Sequence, residues 1–328
     1  MTIGASPVQG LAIVGPTASG KTALSLALAE ALDGEIISMD SRQVYRRMDI
    51  GTDKVSAEAR ARVPHHGLDL VEPWEAYSAG QYGRDARRWI REIRDRGRVP
   101  ILVGGTGFFL RALTSPVFEE PSLDPTRRAA FRSWASAQSV DRLSHWVSRL
   151  DPQRAGVAQA GGPQRLIRTL EVALLSGRPL SWWHAHAPPT ESAVSLGIIR
   201  LQVPREVLVA RIEARVDRMF ASGLVAEVES LIRSGARPSD PGMTGTGYRE
   251  CARLLAGETT QAEAWKDIAR ETRQYARRQE TWFRHQLPEG VLELDGLLSL
   301  EEQMAQIREI GLPVWGIGSH GKGVGDPS

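Results

Sequence analysis

Cysteine is nearly missing from this chain: Cys251 is the one thiol in 328 residues, so neither an internal disulfide nor a multi-cysteine zinc module can form. The lone thiol reads as a small packed hydrophobe. Lysine is almost as scarce. Only Lys21, Lys54, Lys266 and Lys322 stand among 41 basic residues, so positive charge is carried by arginine. An arginine excess can follow genome composition, which makes its local clustering more informative than its total. No apolar run approaches the ~20 residues a membrane span requires, and no secretory leader pattern precedes the first apolar run. The chain therefore reads as cytosolic, with no membrane association. Net charge is only +2, and 41% hydrophobic residues furnish the core of one large or two medium domains.

What is present begins with Gly15-Pro16-Thr17-Ala18-Ser19-Gly20-Lys21-Thr22, set between the apolar run Leu11-Ala12-Ile13-Val14 and a helix-prone stretch from Ala23 to Glu30. Strand, glycine loop and helix in this order, with G-x-x-x-x-G-K-[ST] spacing, make a phosphate-binding loop. Its backbone N–H groups cradle phosphates at a helix N-terminus, Lys21 supplies point charge and Thr22 a hydroxyl for Mg²⁺. A di- or triphosphate is expected here, and the loop alone does not name its carrier.

Glu35-Ile36-Ile37-Ser38-Met39 reads as a second buried strand that delivers Asp40 to its C-terminal end, where parallel α/β sheets bind ligands. Beside the phosphate loop, Asp40 is a carboxylate able to hold Mg²⁺ indirectly or to accept a proton; the alternative is an N-cap for a following helix. The pair His65-His66 lies in a loop-rich stretch and reads as packed or solvated. A helix from near Ser78 carries Tyr82, Ala86, Trp89, Ile90 and Ile93 and ends at Gly97, before a third strand at Val99–Val103. Its exit, Gly104-Gly105-Thr106-Gly107, lets backbone approach a ligand closely. Thr106 is the candidate contact, unless the segment is a plain β–α turn.

Beyond residue 114 the character changes. Pro116, Pro121 and Pro125 open, and Pro188-Pro189 closes, a Trp- and Arg-rich helical stretch, read as an inserted subdomain over 115–194 between core segments 1–114 and 195–312. Within it, Pro163 and Gly177 bracket a helix with Leu166, Ile167, Leu170 and Leu174 as its packing stripe and Arg165 and Arg168 on the other side. A strand at Gly197–Val203 returns the chain to the core. Pro204 then opens a helix on which Arg211, Arg215 and Arg218 fall within roughly 60°, a stripe that repels itself unless it meets anions. From Trp265 to Arg284 six basic side chains face three acidic ones. Lys266, Arg270, Arg273, Arg277 and Arg284 share one arc, opposite Trp265, Ile268, Tyr275, Trp282 and Phe283. The alternative is a solvated face, with arginines paired to Asp267, Glu271 and Glu280 at helical spacing. Residues 1–9 read as a loose arm and the Gly-rich 313–328 as a disordered tail. The expected fold is α/β, a P-loop NTPase-like parallel sheet flanked by helices, with an inserted all-helical subdomain.

The phosphate loop, Ile37-Ser38-Met39-Asp40-Ser41-Arg42-Gln43-Val44-Tyr45-Arg46, Met48-Asp49-Ile50-Gly51-Thr52, Pro64-His65-His66-Gly67-Leu68-Asp69, Tyr77-Ser78-Ala79, Val103-Gly104-Gly105-Thr106-Gly107, Asp151-Pro152, Pro163–Glu171, Gly247-Tyr248 and Arg277-Arg278-Gln279-Glu280-Thr281-Trp282-Phe283-Arg284 together resemble the tRNA dimethylallyltransferase family. The resemblance spans residues 10–290 or so. It implies transfer of a dimethylallyl group from its diphosphate to N6 of the adenosine 3′-adjacent to the anticodon in tRNA.

By that resemblance Asp40 is the general base and Thr106 lies against the donor's diphosphate. The diphosphate site would comprise Gly15, Pro16, Thr17, Ala18, Ser19, Gly20, Lys21 and Thr22, with Arg211 or Arg215. Contacts to tRNA would come from Asp40, Ser41, Arg42 and Gln43, from Gln164, Arg165, Leu166, Ile167 and Arg168, and from Arg277, Arg278 and Arg284. Mg²⁺ at Thr22 is the implied cofactor, tRNA and dimethylallyl diphosphate are the implied partners, and a cytoplasmic monomer is the implied working form. Arg42, Gly67 and Thr244-Gly245-Thr246 depart from the more apolar residues common in the family. The rivals are a small-molecule kinase, an isopentenyltransferase acting on free adenine nucleotides, and an RNA-binding module with a vestigial loop. For so small an acceptor the insert and the cationic helix have no evident use.

Overall fold

The computed structural model describes residues 8–115, 121–187 and 192–317. Expectations for residues 1–7, Pro116, Pro188-Pro189 and 318–328 lie outside the described residues. The chain divides into two compact units, Met1–Thr114 with Val194–Ser328, and Ser115–Ala193.

In the first unit the apolar run becomes β1 (Gly10–Val14), buried at every position. It passes through the glycine loop into α1 (Lys21–Leu32), whose Leu24 and Leu28 pack with Leu11, Ile13 and Ile101. There follow β2 (Gly34–Ser38), α2 (Ala57–Arg62), β3 (His65–His66), α3 (Ala79–Asp95), β4 (Val99–Gly104) and α4 (Gly107–Thr114). α3 starts where its cap dictates: Ser78 Oγ accepts from Gln81 N at 3.2 Å, while Gln81 Oε1 accepts from Ser78 N at 2.8 Å, a reciprocal capping box. Its Tyr82, Ala86, Trp89, Ile90 and Ile93 are buried, as the periodicity indicates.

The two histidines serve the fold. His65 Nδ1 lies 2.7 Å from the Val63 carbonyl and His66 Nε2 lies 2.7 Å from Glu35 Oε2. Burial opposes the Glu35 charge, yet hydrogen bonds from Arg96 and His66 outweigh it and hold the carboxyl at about 2. Gly67 has φ +80°, and a Cβ there would stand 2.8 Å from the Ser38 carbonyl, so this backbone excludes a larger residue.

The second unit is helical throughout its described residues: α5 (Pro125–Ser136), α6 (Val140–Leu150), α7 (Ala155–Ala160), α8 (Pro163–Ser176) and α9 (Leu180–His186), with one short 3₁₀ turn. Ala135, Leu143, Val147, Ala158, Leu166, Ile167 and Leu170 form its core. Two expectations change here. Leu174 is 38% exposed, because this apolar cluster ends one turn earlier. Leu166 and Ile167, expected at tRNA, turn their side chains into the core and leave the exposed side to Gln164 and Arg165.

Arg168 is not on a solvated face either. It donates to the fully buried Glu171 at 2.6 Å, alongside Arg128 at 3.1 Å and Arg132. Burial disfavours the Glu171 charge, but hydrogen bonds from Arg132, Arg168 and Arg128 prevail and hold the carboxyl at about 2.

The chain rejoins the first unit where Val194 N donates to the Leu113 carbonyl at 2.9 Å. It continues as β5 (Leu196–Gln202), α10 (Arg205–Ala221), α11 (Leu224–Arg233), α12 (Tyr248–Leu255), α13 (Gln261–Gln286), β6 (Leu292–Asp295), α14 (Leu300–Gln306) and α15 (Leu312–Trp315). The sheet runs β3-β2-β4-β1-β5-β6 with every pairing parallel. The C-terminal ends of β1, β2 and β4 therefore open side by side.

Gln9 and the stretch up to residue 317 hold more structure than expected. Gln9 N donates to the Ser195 carbonyl at 2.8 Å, and Leu312 and Trp315 pack on the cluster containing Leu292 and Leu294, since apolar burial offsets the cost of ordering them. Among the described residues no helix is long and apolar enough to cross a membrane.

Candidate active site

The ends of β1, β2 and β4 open into a cavity of about 780 Å³, walled also by α10 and α13. Its floor is the glycine loop. Ala18 adopts φ +63°, a conformation uncommon for a residue with a Cβ and one that collects at functional sites. Ser19 N donates to the Pro16 carbonyl at 3.3 Å, and Lys21 Nζ reaches that same carbonyl at 2.6 Å and Ser19 Oγ at 3.4 Å. Burial, joined by the Arg215 charge, lowers Lys21 to about 7 against the opposing pull of Asp40. An anion here would restore a full positive charge to the amine. Thr22, one residue into α1, also lines the cavity.

Asp40 follows β2 into the same cavity. No helix begins after it, which removes the N-cap alternative; instead its Oδ1 accepts the Arg42 N–H at 2.8 Å. Thr106 is bound into this corner. Its N–H donates to the Met39 carbonyl at 3.2 Å and its Oγ1 accepts from Ser41 N at 3.1 Å.

Arg42 and Gln43 are occupied within the fold. Arg42 Nη1 donates to the Pro241 carbonyl at 2.8 Å, and its side chain passes Gly245. Two departures from the family pattern are thus neighbours. Gln43 Oε1 accepts from Ser38 Oγ at 2.8 Å, while its amide nitrogen donates to the Thr52 carbonyl at 3.2 Å.

The arginine stripe of α10 faces the cavity. Arg215 Nη1 donates to Thr17 Oγ1 at 3.0 Å and pairs with Asp53 at 3.1 Å. Arg211 reaches the carbonyls of Ala18 at 3.5 Å and Gly296 at 3.3 Å. Both arginines flank the loop, so geometry does not choose one over the other.

On α13 the expected cationic face divides. Arg270 pairs with Asp267 at 2.8 Å, Arg273 with Glu213 at 3.0 Å, and Arg284 with Glu280 at 3.7 Å. Arg277 is exposed and has no acidic partner among the described residues, while Arg278 lines the cavity with its guanidinium 5.9 Å from the Tyr275 ring centre.

Three residues of the site escaped the sequence reading. Asp53 pairs with Arg215 from a loop. Tyr275, assigned by periodicity to the apolar face, lines the cavity; burial and the Asp40 charge push its phenol up to about 12, so it stays a neutral donor. Gln279, read only as part of a motif, is 5% exposed and hydrogen-bonds two loops at once.

Comparison with known proteins adds the family. The model described as IPP transferase matches residues 43–286. The tRNA dimethylallyltransferase of Geobacter metallireducens is 45% identical over 275 residues, covering 83% of this chain and 88% of that one. That of Carboxydothermus hydrogenoformans is 41% identical over 273 residues, with 83% and 88% coverage. Among solved structures, the full-length tRNA isopentenylpyrophosphate transferase of Bacillus halodurans superposes with a TM-score of 0.66 at 36% identity, covering 94% of this chain and 95% of that chain. A eukaryotic dimethylallyltransferase acting on tRNA matches with a TM-score of 0.78 at 24% identity, covering 95% and 81%; it speaks for the fold alone.

Proposed function

The chain belongs to the IPP transferase family, and from that premise we propose that it transfers a dimethylallyl group from dimethylallyl diphosphate to N6 of the adenosine 3′-adjacent to the anticodon in tRNA, releasing diphosphate. One observation carries the reading: a phosphate loop flanked by Arg211 and Arg215 shares its cavity with Asp40 and Thr106.

Adenine N6 is a poor nucleophile because its lone pair is delocalised into the ring, so its proton must leave as the bond forms. In the reaction the donor's C1–O bond breaks, the N6–C1 bond forms, and the N6 proton passes to the Asp40 carboxylate. Lys21, Arg211, Arg215 and the loop amides take up charge on the departing diphosphate, and Thr106 lies against it. The target base leaves the anticodon-loop stack to reach these strand ends.

Mg²⁺ fits the donor set. Among the described residues no three His, Cys, Asp or Glu gather into a cage, whereas Thr22 and Asp40 line one cavity with the loop, as suits an ion that keeps waters and takes its other ligands from phosphate. When bound it would neutralise diphosphate charge. Exposed Gln164 and Arg165 on the insert, with Arg277, Arg278 and Arg284 on α13, supply the grip on RNA. The reading has a cytoplasmic monomer.

The test is direct. Protein is incubated with dimethylallyl diphosphate and unmodified bulk tRNA, and nucleosides are analysed by mass spectrometry. Dimethylallyl-adenosine with equimolar diphosphate supports the reading; modification of free AMP alone, or consumption of ATP with stoichiometric ADP, overturns it.

A further inference from the structure

The Gln279 carboxamide lies between the two halves of the cavity. Its Oε1 accepts the backbone N–H of Thr17 in the phosphate loop at 2.9 Å, and its Nε2 donates to the Gly105 carbonyl at 2.9 Å. Only this orientation of the amide pairs donor with acceptor at both ends. The side chain is 5% exposed, so losing either bond strands a polar group away from water.

The fit is tight on the Gly105 side, where a Cβ would collide with the Gln279 amide. From Gly105 the chain runs directly to Thr106, whose Oγ1 accepts from Ser41 N at 3.1 Å, the residue after Asp40. One amide thus links the donor's loop to the corner that holds the general base. Trp282, one turn along α13, lies against Gly107 and seats the same helix on the same loop.

We propose that Gln279 is a positioning residue that sets the separation between the bound diphosphate and the Asp40–Thr106 corner, and thereby the alignment of C1 with N6. The role rests on the transfer reaction proposed above. Gln279 touches neither reacting atom; it acts through Thr17 and Gly105. Misplacement of reacting groups by about 1 Å costs on the order of 10²-fold in rate, and each substrate still finds its own half-site.

Gln279→Met keeps volume and removes both hydrogen bonds; Gln279→Glu keeps the acceptor for Thr17 and cannot donate to Gly105. The expected kinetic result for Gln279→Met is a ~10²-fold fall in single-turnover rate with both substrates saturating, while Kd values for tRNA and for inorganic diphosphate change less than ~3-fold, a difference under the 1.4 kcal/mol of a tenfold change. Amide hydrogen exchange gives a readout independent of catalysis. In Gln279→Met, exchange should rise in the peptides spanning residues 15–19 and 104–107 and stay at wild-type level in β5 and β6; in Gln279→Glu it should rise only in 104–107. A wild-type single-turnover rate, or unchanged exchange in both loops, overturns the proposal, as does weakened binding with an unchanged rate. Absence of product from wild type would defeat the transfer reading, and the exchange arm would still decide whether Gln279 joins the loops.

Discussion

Asp40 and Thr106 leave neighbouring strands as one piece, because Ser41 N donates to Thr106 Oγ1 at 3.1 Å while Thr106 N donates back to the Met39 carbonyl at 3.2 Å. A change at the Asp40 side chain therefore acts on a corner that is already fixed without it. Asp40→Asn preserves shape and the acceptor for Arg42 N, so tRNA binding should persist while turnover falls ~10²–10⁴-fold, the scale of a positioned general base. Rapid-quench measurement of product beside a tRNA-binding titration checks this; near-normal turnover removes Asp40 from the chemistry.

Lys21→Ala addresses the donor side. The amine sits against Pro16 and Ser19 in the loop, so its removal should weaken dimethylallyl diphosphate binding at least ~10-fold, a charge-assisted contact of about 1.5–3 kcal/mol. Calorimetric titration of donor and of tRNA should show that change on the donor alone.

Gly105→Ala should reproduce the loss of the Gln279 brace, since the added methyl occupies the amide's place. The expected outcome is a ~10²-fold slower single turnover with near-wild-type tRNA affinity. Combining it with Gln279→Met should add little, because both changes break one connection.

The insert should show its own acid sensitivity. Glu171 is held at about 2 against an ordinary 4.5, so between those pH values the unfolded chain binds more protons and stability rises with pH. That contribution is complete above pH 4.5 and lost as pH falls toward 2; a shift of this size is worth about 3 kcal/mol. Glu171→Gln should remove the pH dependence and destabilise the second unit by roughly 3 kcal/mol, as expected for a buried charge cluster deprived of one sign. Denaturation followed by the fluorescence of Trp134 and Trp146, from pH 2 to 7, would check both statements.

The cationic helix can be tested by salt. Arg277→Ala with Arg284→Ala should weaken several tRNAs alike and flatten the log–log salt dependence by ~0.7 per lost phosphate contact, leaving donor affinity unchanged. Lines coincident with wild type would assign Arg277 to plain solvation and Arg284 to its 3.7 Å pair with Glu280.

What the sequence displays and what it conceals divide along contact range. The phosphate loop, the helix start near Ser78 and the Pro163–Gly177 helix are legible because each is decided by residues within a few positions of one another. Periodicity also assigned α10 its arginine stripe correctly. It failed at Tyr275 and Leu174 and was silent on Gln279, where the partner decides: Gln279 meets Thr17 across 262 residues, and no helical projection tells an amide that joins two loops from a polar interruption. Glu171 was invisible for the same reason, since its burial depends on arginines from α5. β3 and β6, at two and four residues, carry too little apolar pattern to register as strands.

The hydrogen bond from Val194 to Leu113 also bears on how such a chain diversifies. The polypeptide departs from the core and re-enters it at a single closed neck, so the excursion between those points alters neither the order of the sheet strands nor the register of β4 and β5 with β1. Lengthening, trimming or replacing the excursion is topologically neutral for the catalytic half. A change confined to the excursion therefore leaves the strand ends, and the side chains they carry, in place.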